Sequence, residues 1–211
     1  MKKVISAIII LLVFATIISH ASIAATDEFK AFLAKELQGQ YYDESRVSYA
    51  GRTFEKLGYI NAAGAGKYTI TNSKQVVKDY ISGLGKNYGL YVVAHGNSSP
   101  CFTMDSSSNS QTISTSDISG IWHLVFIDSC SVMSTDTMAS AFKTVGYSQR
   151  VSMGWYDVIY SGASYEWWGY FYPVAGTTNL RAAALSAADR CNNNTPIKAW
   201  GDKENWNGKA W

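Results

Sequence analysis

Two short apolar runs constrain this chain more than any other feature. Residues 90–94, Leu-Tyr-Val-Val-Ala, lead into His95 and Gly96, and residues 122–127, Trp-His-Leu-Val-Phe-Ile, lead into Asp128, Ser129 and Cys130. Each run has the length and the Val, Ile, Phe and Tyr bias of a strand buried on both faces, with no polar alternation to suggest a solvated side. Parallel sheets present functional groups at the carboxyl ends of their strands. The pattern therefore delivers an imidazole and a thiol to one sheet edge, with the His first in the chain.

The amino terminus bears on the compartment. Lys2 and Lys3 precede an uncharged apolar stretch from residue 4 to about residue 18, and small residues follow around Ser22, Ala24 and Ala25. This is the form of a secretory signal peptide, expected over residues 1–25, and the stretch is too short to favour a membrane span. Residues 26–211 suffice for a single domain with a sizeable core. Without Lys2 and Lys3, the 18 basic side chains become 16, against 16 acidic ones. No basic run or acidic tail stands out, so nucleic acid is excluded as a partner and no membrane attachment is expected after cleavage. A secreted or periplasmic location follows from the leader.

Three cysteines, Cys101, Cys130 and Cys191, remain in the exported part. An odd number in an oxidising compartment leaves one thiol over. If Cys130 is a nucleophile it stays reduced, and Cys101 and Cys191 are then available to form a disulfide. The alternative is three unpaired cysteines, each behaving as a small buried hydrophobe.

Punctuation along the chain predicts alternating helices and strands. Phe29, Phe32, Leu33 and Leu37 fall at helical spacing over residues 27–37, and residues 45–57 suit a second helix, followed by a short strand near 58–60. Gly64 and Gly66 mark a turn, and Asn72-Ser73 caps a helix carrying Val76, Val77, Tyr80, Ile81 and Leu84. Residues 97–119 form a long polar connection, within which 101–104 and 111–113 are suited to a small hairpin. Beyond Cys130 come a helix at 137–145, a strand at 150–155, and helices at 163–174 and 179–190. Such alternation predicts an α/β fold around a right-handed, mostly parallel sheet.

The chemistry of the pair is direct. A thiol with a pKa near 8.5 is mostly protonated at neutral pH, and a neighbouring imidazole shifts it toward thiolate or removes its proton during attack. The thiolate then attacks an acyl carbon, and the backbone N–H groups of Gly96 and Cys130 are suited to the oxyanion. Asp128 lies two residues before Cys130, on the same face by strand periodicity, where a carboxylate would receive a basic substrate side chain.

The order of an apolar run, His-Gly, a spacer, a second apolar run and acid-x-Cys resembles the caspase-like (clan CD) cysteine peptidases, among them bacterial relatives of metacaspases, clostripain, legumain and gingipain. The two halves here are YVVAHG and LVFIDSC. The resemblance extends through Ser152-Met153-Gly154-Trp155, the aromatic segment 166–171 and the helix from Asn179, covering roughly residues 73–190. It implies a three-layer α/β/α sandwich and an endopeptidase in which His95 and Cys130 form the dyad and Gly96 helps to form the oxyanion hole. It further implies that Asp128, Gly154 and Trp155 line the substrate site, with cleavage after Arg, Lys or Asn and a protein or peptide as substrate. Two departures stand out: no strong strand is evident in residues 29–42, and Cys130-Ser131-Val132 lacks the glycine of the metacaspase pattern.

Other classes fit less well. An α/β-hydrolase wants glycines around its nucleophile and a later His, yet no histidine follows Cys130. No CxxC or HExxH spacing calls for a metal, and nothing calls for a cofactor. His123, inside the second run, suits a structural role. A non-catalytic binding module for carbohydrate or peptide is the remaining alternative, built on Trp155, Trp167, Trp168, Tyr170 and Trp206, although the spacing of Trp167, Trp168 and Phe171 equally suits a core-facing helix stripe.

Overall fold

The computed structural model describes residues 27–82, 87–96, 100–192 and 195–210, and the expected signal peptide lies outside the described residues. The chain opens with β1 (Glu28–Ala34), a 3-10 turn (Lys35–Leu37), α1 (Tyr41–Lys56), β2 (Ile60–Asn61), β3 (Thr69–Thr71), α2 (Lys74–Ile81) and β4 (Asn87–Val93). Three two-residue strands follow: β5 (His95–Gly96), β6 (Phe102–Thr103) and β7 (Thr112–Ile113). The second half contains β8 (Ile121–Asp128), α3 (Thr137–Ala141), β9 (Val151–Trp155), α4 (Ser161–Val174), α5 (Leu180–Ala188) and β10 (Ile197–Gly201).

The main sheet runs β10-β9-β8-β4-β1-β2, with β3 also pairing with β1. Every pairing in it is parallel except that of β9 with β10. The protein is thus α/β with a mostly parallel central sheet. β10 escaped the sequence pattern although the turn-forming run 192–196 precedes it, because Ile197-Lys198-Ala199-Trp200 is short and broken by a charge. The hairpin expected within 97–119 is present as β6 and β7, and β5 joins it to make a separate three-stranded sheet.

The helix expected over residues 27–37 is instead the interior strand β1, a correction with a physical basis. Phe29, Ala31, Phe32, Leu33 and Ala34 are at most 1% exposed, so both faces are buried. A strand enclosed in this way loses its alternation, and the spacing of its aromatics then imitates a helix. β1 pairs with β4 on one side and with β2 and β3 on the other.

A bulge sorts the core of β8 between two helical layers. The β4 register passes from Tyr88 against Trp122 to Gly89 against Leu124, leaving His123 as the extra residue. Trp122 consequently packs with Tyr80 of α2 and with Phe142 just after α3. Phe126 faces the other way, against Trp167 and Trp168 of α4. His123 is buried, with Nδ1 3.5 Å from Asp27 Oδ2 and its ring edge-on to Trp206.

The tryptophans offered as an exposed binding face are core residues. Trp155 and Trp167 are 0% exposed, Trp168 1% and Trp206 6%, and Tyr170 is half-buried beneath Arg190. Among the described residues no helix is long and apolar enough to cross a membrane.

Candidate active site

Strand register brings the two reactive residues together. β4 and β8 are parallel neighbours in which Val93 stands against Asp128. His95 and Cys130 each lie two residues beyond that pair, so both leave the sheet at the same edge from adjacent strands, whose usual spacing is about 4.8 Å. The Ala94 amide donates to the Asp128 carbonyl at 3.3 Å, holding the two overhangs side by side.

Gly96 makes the approach possible. A Cβ at this position would overlap the Cys130 carbonyl oxygen and lie 2.7 Å from the Cys130 nitrogen. Only a residue without a side chain lets the His-Gly segment lie flat against the Cys130 peptide. His95, Gly96 and Cys130 all line one small cavity of about 110 Å³, with Arg46, Ile159 and Ser161 among its other walls.

The sequence-based expectations omitted Glu36. Its Oε1 lies 3.3 Å from His95 Nε2. The same carboxylate accepts the Ser106 amide at 2.9 Å and the Ser106 hydroxyl at 2.6 Å, so it joins the imidazole to the loop between β6 and β7. His95 is 48% exposed and Glu36 28%, an accessible arrangement rather than a buried ion pair. The signal was present but assigned to the wrong element: once 27–34 is a strand, Glu36 falls just beyond its carboxyl end.

The Cys130 thiol donates to the Ile159 carbonyl at 3.6 Å and accepts the Ile159 amide at 3.5 Å. Ser131 next to it adopts a left-handed φ of 57°, a conformation uncommon for a residue with a side chain. Its amide is anchored to the Asp157 carbonyl at 3.1 Å. The turn after Cys130 is therefore tied to the segment that follows β9.

Asp128 lines the same cavity, but its carboxylate is already engaged by its neighbours. It is 0% exposed and accepts from Arg46 at 2.8 Å, Trp155 at 2.6 Å, Tyr91 at 2.6 Å, Ser164 at 2.8 Å and Trp168 at 3.2 Å. Five donors saturate the lone pairs of one carboxylate, leaving it no acceptor site to spare for an incoming side chain. Arg46 also bonds Asp43 at 2.6 Å. Burial alone would lower the Arg46 pKa, but Asp128 foremost, then Tyr91 and Asp43, raise it, so the guanidinium stays charged. Burial, reinforced by the Asp128 charge, pushes the Tyr91 phenol well above its ordinary value.

Trp155 and Gly154 likewise act from within the protein. The Trp155 indole is buried and serves Asp128, while a Cβ on Gly154 would lie 2.5 Å from the Ile127 carbonyl oxygen. Neither is among the residues lining the cavity beside His95 and Cys130.

None of Cys101, Cys130 and Cys191 is part of a disulfide, so the expected bridge between Cys101 and Cys191 is not formed. Cys101 precedes β6 in the small sheet, whereas Cys191 follows α5 and donates to the Ala187 carbonyl at 3.2 Å. Burial, with the Glu166 charge, raises the Cys191 thiol to about 11. Among the described residues no three His, Cys, Asp or Glu side chains converge as a metal-binding set. Compared with known proteins, the chain matches no protein-family model and no curated protein.

Proposed function

We propose that the protein is an exported cysteine endopeptidase with a caspase-like fold. The observation that carries this is the placement of His95, Gly96 and Cys130 around one cavity at the carboxyl ends of β4 and β8. Cys130 attacks the scissile carbonyl, and His95 takes the thiol proton and returns it to the leaving amine. Glu36 holds Nε2 of the imidazole, so Nδ1 serves the thiol. The oxyanion of the tetrahedral intermediate accepts from the amides of Gly96 and Cys130. Collapse gives a thioester acyl-enzyme, which water hydrolyses with His95 now acting as base.

Arg46 already balances Asp128, so the choice among Arg, Lys and Asn does not rest on a free carboxylate at that position. The test is turnover of fluorogenic peptides ending in Arg, Lys, Asn or Asp by the exported form, beside Cys130→Ala. Turnover of any of them that disappears in Cys130→Ala supports the assignment. Equal residual rates in both proteins would overturn it.

A further inference from the structure

A second concave surface lies on the flank of the molecule, between α1 and α4, and no step of the proposed reaction uses it. Five tyrosines run along it. Tyr41, Tyr42 and Tyr49 of α1 meet Tyr165 of α4, with ring centroids 5.9, 5.5 and 5.7 Å away, and Tyr49 meets Tyr172 at 6.3 Å. The line begins at the amino-terminal end of α1, where the Tyr42 ring lies against Gly162, one residue from Ser161 in the wall of the catalytic cavity. Tyr41 is 69% exposed and Tyr42 48%. These are large rings left in water on a protein that buries Trp122, Trp155, Trp167 and Trp168.

The recess beside the rings measures about 350 Å³ and is lined also by Glu44, Ser45, Ser48 and Arg52. That volume falls within the range of small-molecule sites, whereas the catalytic cavity falls below it. Arg52 stacks its guanidinium on Tyr49 at 4.6 Å and on Tyr172 at 5.9 Å, and among the described residues it pairs with no carboxylate. Glu44 Oε1 accepts the Gly39 amide at 2.9 Å. The neighbouring Tyr41 phenol foremost, then burial and Tyr49, raise the Tyr165 phenol to about 12.

The chemistry of the lining selects among ligands. A phosphate or carboxylate would meet Glu44, and a cation would meet Arg52. A neutral polyol meets neither obstacle, because each sugar hydroxyl both donates and accepts, and the recess supplies serine and tyrosine hydroxyls, guanidinium donors and a carboxylate acceptor. The apolar faces of sugar rings pack on aromatic side chains. Neighbouring rings here are inclined by 46° to 68° to one another, which makes a faceted groove and not a flat platform.

We propose that the tyrosine groove between α1 and α4 is a binding site for a soluble neutral oligosaccharide chain. The faceted geometry suits a twisted single chain and excludes the planar face of a crystalline polysaccharide. The site is separate from the Cys130 chemistry, so its occupation does not depend on peptidase activity.

The test is calorimetric titration of the exported form with cellotetraose, chitotetraose, xylotetraose and mannotetraose. At least one should bind saturably, with affinity about tenfold lower in Tyr41→Ala, also lower in Arg52→Ala, and unchanged in Cys130→Ala. Both mutated residues are exposed, and Tyr165→Phe, which keeps the ring and removes the hydroxyl, should weaken binding less than Tyr41→Ala. Absence of saturable binding to all four sugars overturns the proposal. So does saccharide binding that Tyr41→Ala and Arg52→Ala leave intact.

Discussion

At Glu36 one carboxylate serves both the His95 imidazole and the Ser106 loop. A base held by a third group keeps its ring orientation between turnovers. In Glu36→Gln we expect kcat to fall about tenfold to a hundredfold, the usual cost of removing an orienting partner, with KM and the thermal midpoint close to those of the parent. A change confined to KM would assign Glu36 to substrate binding instead. Asp128 belongs to a different kind of residue, since its five donors come from β4, β9, α1 and α4. Asp128→Ala leaves the buried Arg46 with Asp43 alone and removes the acceptor of four further buried donors, and urea denaturation should show a loss of about 3–5 kcal/mol. A loss within ~0.5 kcal/mol, as at an ordinary surface position, would contradict this network.

Among the elements, the His-Gly strand β5 is the most demanding, because its glycine lies directly on the Cys130 peptide. Gly96→Ala should therefore abolish Cys130-dependent turnover while the far-UV spectrum keeps its helical content; activity within a factor of about two of the parent would show that the strand tolerates a side chain. A second linkage concerns α2, whose Lys74 and Lys78 both reach Asp117, at 2.7 and 3.2 Å. Burial would raise the Asp117 pKa, but hydrogen bonds from Lys74, the Ser114 amide and Lys78 outweigh it and hold the carboxyl well below the usual range. A depressed carboxylate stabilises the fold above its unfolded pKa of about 3.9, and that stability is lost as pH falls toward the folded value. Asp117→Asn should cost about 1 kcal/mol at pH 7, with the difference from the parent closing in denaturation curves recorded at progressively lower pH below about 4. A difference that stays constant with pH would show that charge is not its source.

For the whole molecule, the order of strands decides which sequence signals were legible. The runs that became β4 and β8 stood out because strands buried on both faces are continuous apolar segments, and each ended in a residue with chemistry of its own. β1 is buried in the same way, but Lys30 interrupts it and Phe29, Phe32 and Leu33 imitate a helical stripe. Losing β1 also lost Glu36, the third member of the site. Asp128 was placed correctly along its strand, but its partners were not legible, because Arg46, Trp155, Ser164 and Trp168 converge only through tertiary packing. The most direct test of the central claim is covalent trapping with a peptidyl acyloxymethyl ketone, followed by mass spectrometric mapping of the label over Cys101, Cys130 and Cys191. The account predicts a label on Cys130 that is largely lost in His95→Ala, with Cys191 unmodified at pH 8 because its thiol sits near 11. Labelling of Cys101 or Cys191 in place of Cys130, or equal labelling of Cys130 without His95, would contradict it.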